Sequence, residues 1–211
     1  AVRCRDELDM PIVGFDLAGQ EDGYPARDHA EAYQYAHRHF LKKTVHAGEA
    51  YGPESIFDAI TELHADRIGH GYHLFSPELC GPKVVSPDDY VGRLARYIAD
   101  RRVTIEVCIT SNLQTNPNIG TVSNHHFGHM LKERLSATLC TDNRLHSNTS
   151  VSREIRLAVD AFDMDLKQLK NTIIYGFKRS FFPGHYHHKR NYVRCVIDHY
   201  DKVIADHIGQ E

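Results

Sequence analysis

Short runs of apolar residues alternate along the chain with longer segments in which apolar positions recur at helical spacing. Short runs bounded by turn-forming residues are typical of buried strands, whereas an i, i+3, i+4 stripe is typical of a helix that packs on one face. Five strands are predicted in this way, at 11–19, 44–49, 66–71, 103–109 and 137–142. Helices are predicted at 28–42, from Pro53, from a Ser86 cap followed by Pro87, and at 127–135, 152–162, 165–179 and 186–207.

The alternation of strands and helices predicts βαβ units, and therefore an α/β fold with a parallel sheet. Both a segment of a barrel and an open, doubly wound sheet fit this order of elements. The chain has no GxGxxG or GxxxxGK[ST] loop, which counts against the open sheets that bind nucleotide phosphates through such loops. In the 28–42 helix, the predicted buried stripe runs from Ala32 and Tyr33 through Ala36 to Phe40.

Composition narrows the class of protein. The chain has 211 residues, of which 41% are hydrophobic and 25% charged, with a formal net charge of -3. These values are typical of a soluble globular protein, and so small a charge predicts no capture of nucleic acid or of a membrane surface. No apolar run reaches the roughly 20 residues that span a bilayer, and the first residues lack the apolar centre of a signal peptide. Five dispersed cysteines favour free thiols over a disulfide framework, and hence a cytoplasmic location.

Polar side chains gather where the predicted strands end. His46, Glu49, His70, Asn112 and Asp142 all lie at or just beyond such an end. Because active sites of parallel α/β proteins are built at the carboxyl edge of the sheet, these residues are expected to meet in one pocket. Each alone is more simply read as a helix cap or a satisfied loop residue. Together, two histidines, a glutamate and an aspartate suit metal-assisted hydrolysis.

The residue types suggest separate tasks within that pocket. His46 offers a neutral imidazole nitrogen and Asp142 a hard carboxylate oxygen as metal ligands. Gly48 allows a sharp turn, so that Glu49 can face the same pocket without ligating. A partly desolvated carboxyl has a raised pKa and can act as a proton donor. His70 lies between two glycines, in a segment open to close approach by a substrate.

The motifs around these residues resemble the successive strand-end motifs of the adenosine deaminase family. The resemblance covers nearly the whole chain, and the order and approximate spacing of the motifs agree throughout. The segments that carry it are GFDLAG (14–19), TVHAGE (44–49), RIGHGY (67–72), SNLQT (111–115), CTDN (140–143) and SFFPG (180–184). The resemblance implies a TIM (β/α)8 barrel of the metallo-dependent hydrolase type, of which this chain holds about strands 4–8 and their helices.

The resemblance also implies a function, the zinc-dependent hydrolytic deamination of adenosine or a related 6-aminopurine nucleoside to inosine and ammonia. It implies that His46 and Asp142 bind one Zn2+ and that Glu49 protonates purine N1. It implies that His70 orients the zinc-bound water and stabilises the alkoxide that forms at C6. Gly19 is then a backbone contact to purine N3.

Two departures from the family pattern affect this reading. Asn143 stands where the family often has a second aspartate, which donates a hydrogen bond to purine N7; an amide can donate without being protonated. The family's first strand carries an H-x-H pair that supplies two further zinc ligands, and no such strand is found here. The His37/His39 pair falls in a predicted helix facing solvent, His185/His187 lie after the barrel motifs, and His125/His129 are read as part of a surface helix.

Residues 1–211 are therefore interpreted as the C-terminal portion of one catalytic domain. Three readings of the whole remain open: a deaminase of adenosine, a deaminase of another 6-aminopurine, and a non-catalytic or incomplete barrel. The expected partners are a purine nucleoside and the missing N-terminal part of the barrel. The chain alone is expected to have little or no deaminase activity.

Overall fold

The computed structural model describes residues 1–208, so the last three residues of the domain predicted at 1–211 lie outside the described part. One parallel sheet holds the five strands in the order β1-β2-β3-β4-β5. The strands are β1 (Gly14–Leu17), β2 (Lys42–Ala47), β3 (Arg67–His70), β4 (Thr104–Val107) and β5 (Ala137–Leu139). All five predicted strands are thus confirmed; four are shorter than the sequence pattern indicated, and β2 has the expected length but begins and ends two residues earlier.

The order of the strands separates the two architectures that the order of elements left open, and it confirms the barrel that the family resemblance implied. A doubly wound sheet reverses its strand order at a switch point, where the chain returns to the other side of the first strand. Here every strand pairs with the one before it in sequence, without reversal. This arrangement is a segment of a (β/α) barrel, and it leaves β1 and β5 as the two outer strands.

Helices follow the strands and cover the sheet. Those of regular α type are α1 (Val2–Asp6), α2 (Ala30–Arg38), α3 (Pro53–Thr61), α4 (Pro87–Arg101), α5 (Ile109–Thr115), α6 (Phe127–Lys132), α7 (Arg144–Ser147), α8 (Val151–Phe162), α9 (Leu166–Lys178) and α10 (Tyr186–Ile208). Short 3₁₀ turns occur at Ala26–His29, Tyr72–Phe75, Pro77–Leu79, Pro117–Ile119 and Val122–Asn124. None of the helices within residues 1–208 combines the length and the apolar character needed to cross a membrane.

Two details of the predicted helices are wrong. Helix α2 ends at Arg38, and Phe40, expected on its buried face, is 91% exposed. Phe40 has a φ of +57°, a left-handed conformation that cannot continue an α-helix, so the stripe stops at Ala36. Ala32, also expected on this face, is exposed, and only Tyr33 and Ala36 of the predicted stripe are buried. Helix α4 begins at Pro87 as predicted, but the side chain of Ser86 makes no capping hydrogen bond.

The core lies between the sheet and the helices. Val45, Ile68 and Ile105, from the three central strands, are fully buried and pack against apolar faces of α3 and α4. Because these residues fix the register of neighbouring strands, they also fix which residues reach the carboxyl edge. The five cysteine thiols are all free.

Candidate active site

His46 and His70 come from adjacent strands whose register brings them together. His46 lies inside β2, one residue before its end, and pairs with Gly69 of β3. A Cβ atom on Gly69 would lie 2.5 Å from Cδ2 of His46, so the ring rests directly on the glycine backbone. Only glycine leaves room for His46 in this position.

His70, the last residue of β3, is buried and meets two of the other predicted site residues. Its Nε2 lies 3.2 Å from Nδ1 of His46 and 3.5 Å from Oε2 of Glu49. Its φ of +62° is left-handed, a strained conformation for a side chain of this size and one that is common at functional sites. Burial, together with the neighbouring His46, lowers the pKa of His70 to about 4, so the ring is neutral at pH 7.

Glu49 reaches the same point from the loop after β2. Gly48 turns the chain with a φ of +72°. The side chain of Glu49 is only 15% exposed. Burial raises the pKa of the Glu49 carboxyl, against an opposing effect of His46. Within residues 1–208, His46, Glu49 and His70 form the one group of three metal-binding side chains whose ligand atoms all lie within 4.8 Å of one another.

Asp142 approaches from the end of β5 and lies outside that group of three. Its φ is +52°, and its Oδ2 accepts a hydrogen bond of 2.8 Å from the hydroxyl of Ser111. The adjacent Asn143 caps α7, since its Oδ1 accepts from the backbone N–H of His146 at 3.1 Å. The Nδ2 amide of Asn143 remains available to donate to a ligand.

A cavity of about 720 Å³ is lined by six of the seven predicted site residues. The seventh, Asn112, was expected in the same pocket but does not line it; it is 1% exposed and contacts His70. Its lining consists of Ala18, Gly19, Gln20, Glu21, Asp22, His46, Glu49, Ala50, His70, His73, Thr115, Asn116, Asp142 and Asn143. Gly19 has a φ of +117° and nothing within 4 Å of where a Cβ would be, so its backbone faces open space. Four of these described lining residues are acidic and none is Lys or Arg.

Sequence reasoning missed Glu21, which holds the loop that carries Glu49. Glu21 is only 5% exposed. Its two carboxylate oxygens accept hydrogen bonds of 2.7–3.2 Å from the backbone N–H groups of residues 48–51, and one of 2.5 Å from the hydroxyl of Ser55. The carboxylate therefore sets the path of the whole loop.

The prediction that His125 lies on a surface helix is wrong. His125 is 2% exposed and precedes α6, which begins at Phe127. Its Nε2 lies 3.1 Å from Oδ1 of Asn112, and Nδ2 of Asn112 lies 3.1 Å from Nδ1 of His70. The histidine is therefore connected to the site through Asn112.

Comparison with known proteins identifies the family of this chain. The sequence model of the family described as adenosine deaminase matches residues 1–198. The chain belongs to the adenosine deaminase family. An adenosine deaminase of Mycobacterium sp. (strain KMS) is 40% identical over 185 residues, which cover 87% of this chain and 49% of that protein. Adenosine deaminase 1 of Streptomyces coelicolor is 40% identical over 177 residues, or 83% and 43% of the two chains.

Several solved structures share the fold of this adenosine deaminase family member. The adenine deaminase of Arthrobacter aurescens superposes with a TM-score of 0.76 at 20% identity, over 95% of this chain and 55% of that one. Arabidopsis ADAL in complex with GMP gives 0.71 at 25% identity, over 93% and 52%. An amidohydrolase of Burkholderia ambifaria with bound Zn gives 0.69 at 22% identity, over 90% and 50%.

The fraction of each relative that this chain covers indicates how much of the barrel it contains. This chain spans about half the length of the curated relatives and of the solved structures that it matches. Within residues 1–208, no strand carries an H-x-H pair: His37 and His39 lie at the end of α2, and His185 and His187 lie at the exposed start of α10. The half of the barrel described here thus brings two candidate metal ligands and two candidate acid–base groups to one cavity.

Proposed function

We propose that this chain forms the C-terminal part of a catalytic domain for the zinc-dependent hydrolytic deamination of adenosine. The observation that supports this most directly is the meeting of His46, Glu49 and His70 within 4.8 Å, in the cavity that Asp142 also lines. A structural sheet edge has no need of two histidines and two carboxylates in so small a space.

The donor set fits a zinc ion. Imidazole nitrogen and carboxylate oxygen are among its preferred ligands, and we assign His46 and Asp142 to this role. The hydrogen bond from Ser111 to Asp142 is the kind of outer contact that orients a metal-binding carboxylate. When bound, zinc supplies a hydroxide at neutral pH by lowering the pKa of its water.

We assign proton donation to Glu49 and stabilisation of the developing negative charge to His70. A carboxyl whose pKa is raised by burial retains a proton closer to neutral pH, as donation to purine N1 requires. Neutral His70, 3.5 Å from Glu49, is placed to hydrogen-bond the oxygen that attacks C6. Gly19 and Asn143, which line the cavity, are assigned to purine N3 and N7.

The lining favours an uncharged substrate over a nucleotide. A phosphate group is usually bound by Arg, Lys or a cluster of backbone N–H groups. The described lining has four carboxylates and no Lys or Arg, so a nucleoside monophosphate would meet like charge from this half of the pocket. Adenosine is therefore proposed ahead of AMP or N6-methyl-AMP, although a structural neighbour binds GMP.

Residues 1–208 supply only part of the metal site that this reaction needs. Zinc in catalytic sites generally has three protein ligands, and His46 and Asp142 supply two. β1 and β5 also present unpaired edges, which a further part of a barrel would cover. We propose that an N-terminal barrel segment is the partner that completes the metal site, that the free thiols reflect a cytoplasmic location, and that the chain alone turns over little adenosine.

The decisive experiment replaces the corresponding residues of the Mycobacterium relative with those of this chain and follows adenosine deamination with added zinc. The chimera is expected to be active, and Glu49→Gln to lower kcat by about 100-fold or more, as loss of a general acid does. Glu62→Gln, at an exposed glutamate beyond α3, is the matched control. Adenine, AMP and N6-methyl-AMP are compared with adenosine in the same assay. Full activity of Glu49→Gln, or zinc-independent turnover, would contradict the proposal.

A further inference from the structure

A line of three hydrogen bonds connects a buried backbone amide to His70. The N–H of Phe127 donates to Nδ1 of His125 at 3.0 Å. Nε2 of His125 lies 3.1 Å from Oδ1 of Asn112, and Nδ2 of Asn112 lies 3.1 Å from Nδ1 of His70. All four residues are at most 2% exposed, so water does not compete for these groups.

The first donor fixes the direction of every bond that follows. A backbone N–H can only donate, so Nδ1 of His125 accepts and the proton of its neutral ring is on Nε2. That proton points at Asn112, whose Oδ1 accepts it and whose Nδ2 amide therefore faces His70. Nδ1 of His70 must then accept, which leaves its proton on Nε2.

The opposite arrangement is excluded by the same contacts. A proton on Nδ1 of His70 would face the N–H of the Asn112 amide, donor against donor. Turning the Asn112 amide over would relieve that contact, but would place its NH₂ group against the Nε2–H of His125. Burial also lowers the pKa of His125 to about 3, so this ring stays neutral and keeps one donor and one acceptor.

We infer that His125 and Asn112 are positioning residues that lock His70 in its Nε2–H tautomer. The Nε2–H of His70 is the edge that faces His46 and Glu49. His70 thus presents a hydrogen-bond donor to the pocket. Given the proposed function, His70 would stabilise an oxygen that gains negative charge, and would not take up a proton at Nε2.

The tautomer can be read directly by NMR. The 211-residue chain, labelled with 15N-histidine and freed of metal by a chelator, gives two-bond 1H–15N correlations that distinguish a protonated from an unprotonated ring nitrogen. His70→Gln and His125→Gln assign the two rings by the loss of their signals. Both rings are expected to be unprotonated at Nδ1 and protonated at Nε2 above pH 7.

Two variants test whether Asn112 and His125 determine the tautomer of His70. Asn112→Asp, which is nearly isosteric, offers acceptor oxygens to both rings, so the proton of His70 should move to Nδ1 or both nitrogens should carry one. His125→Leu removes the donor to Asn112 and lets the amide turn over, so His70 should show a mixture of tautomers. His125→Gln, which can still donate to Asn112, should retain the pattern of His70. His199→Gln, at an exposed ring on α10, is the control.

An Nδ1–H tautomer of His70 in the unmodified chain would overturn the inference, as would an unchanged His70 spectrum in Asn112→Asp. Because Asn112→Asp and His125→Gln conserve size, they report even if His125→Leu does not fold. The measurement needs neither zinc nor turnover. A failure of the tautomer prediction is therefore distinct from a failure of the deaminase proposal, which the chimera tests.

Discussion

Replacing Glu21 with glutamine removes the charge at the centre of five hydrogen bonds and changes one acceptor oxygen into a donor. One carboxylate oxygen accepts from the amides of residues 49, 50 and 51, and the other from the amide of Gly48 and the hydroxyl of Ser55. In the better orientation, the carbonyl of glutamine keeps the three amides. Its NH₂ group then faces the N–H of Gly48, while Ser55 can turn to accept.

The expected loss follows from those contacts. The buried N–H of Gly48 is left without an acceptor, which costs about 1–3 kcal/mol. The three remaining bonds lose the assistance of a charge, at about 0.5–1 kcal/mol each. Glu21→Gln should therefore lower the free energy of unfolding by about 3–5 kcal/mol, a large share of the stability of a typical domain.

Urea unfolding of the chain measures this loss by linear extrapolation. Amide hydrogen exchange at residues 48–51 shows whether the loop opens. Glu62→Gln, an exposed change of the same chemistry, is expected to stay within about 0.5 kcal/mol. Equal stability of the two variants, with unchanged exchange in the loop, would refute the role assigned to the Glu21 carboxylate.

Three further outcomes are expected. Gly69→Ala puts a Cβ 2.5 Å from the ring of His46, so it should displace that ring and weaken zinc binding, as measured by titration calorimetry in the chimera. Ser111→Ala frees the carboxylate of Asp142 and should weaken zinc affinity by about 10- to 100-fold. His125 has its pKa lowered by burial to about 3, so between about pH 6.5 and 3 the unfolded chain binds a proton there that the folded chain does not. Stability should thus be complete above pH 6.5 and fall with acidification by up to about 1.4 kcal/mol per pH unit, with a shallower slope in His125→Gln.

The features that follow from the local pattern of apolar and polar residues could be predicted from the sequence. The strands were predicted because each is a short apolar run that ends in polar or glycine residues. The convergence of His46, Glu49 and His70 follows from a parallel sheet, whose carboxyl ends meet at one edge. Local pattern alone did not distinguish a barrel from a doubly wound sheet; the resemblance to the adenosine deaminase family implied the barrel, and the order of the strands agrees with it.

The residues that hold the site in place escaped prediction because their partners are distant in sequence. Glu21 looks like any acid in a polar loop, and its partners are 27 to 34 residues away. His125 and His129 have helical spacing, yet α6 begins two residues after His125, whose ring turns inward to Asn112. Phe40 continues an apolar stripe in the sequence although the helix has already ended.

A second buried carboxylate, Glu154, holds another segment of the site in place through hydrogen bonds, as Glu21 holds the loop of Glu49. Glu154 of α8 is fully buried and accepts from the N–H and hydroxyl of Thr110 and from the hydroxyl of Thr149. Thr110 lies in the first turn of α5, next to Ser111 and Asn112, which contact Asp142 and His70. Glu21 thus fixes the loop of the proposed acid, and Glu154 fixes the turn that orients a proposed metal ligand and His70. Since both carboxylates and the partners named here belong to this chain, the geometry of this half of the pocket is set from within it, and the proposed N-terminal segment need supply only the remaining ligands and the cover for the outer strands.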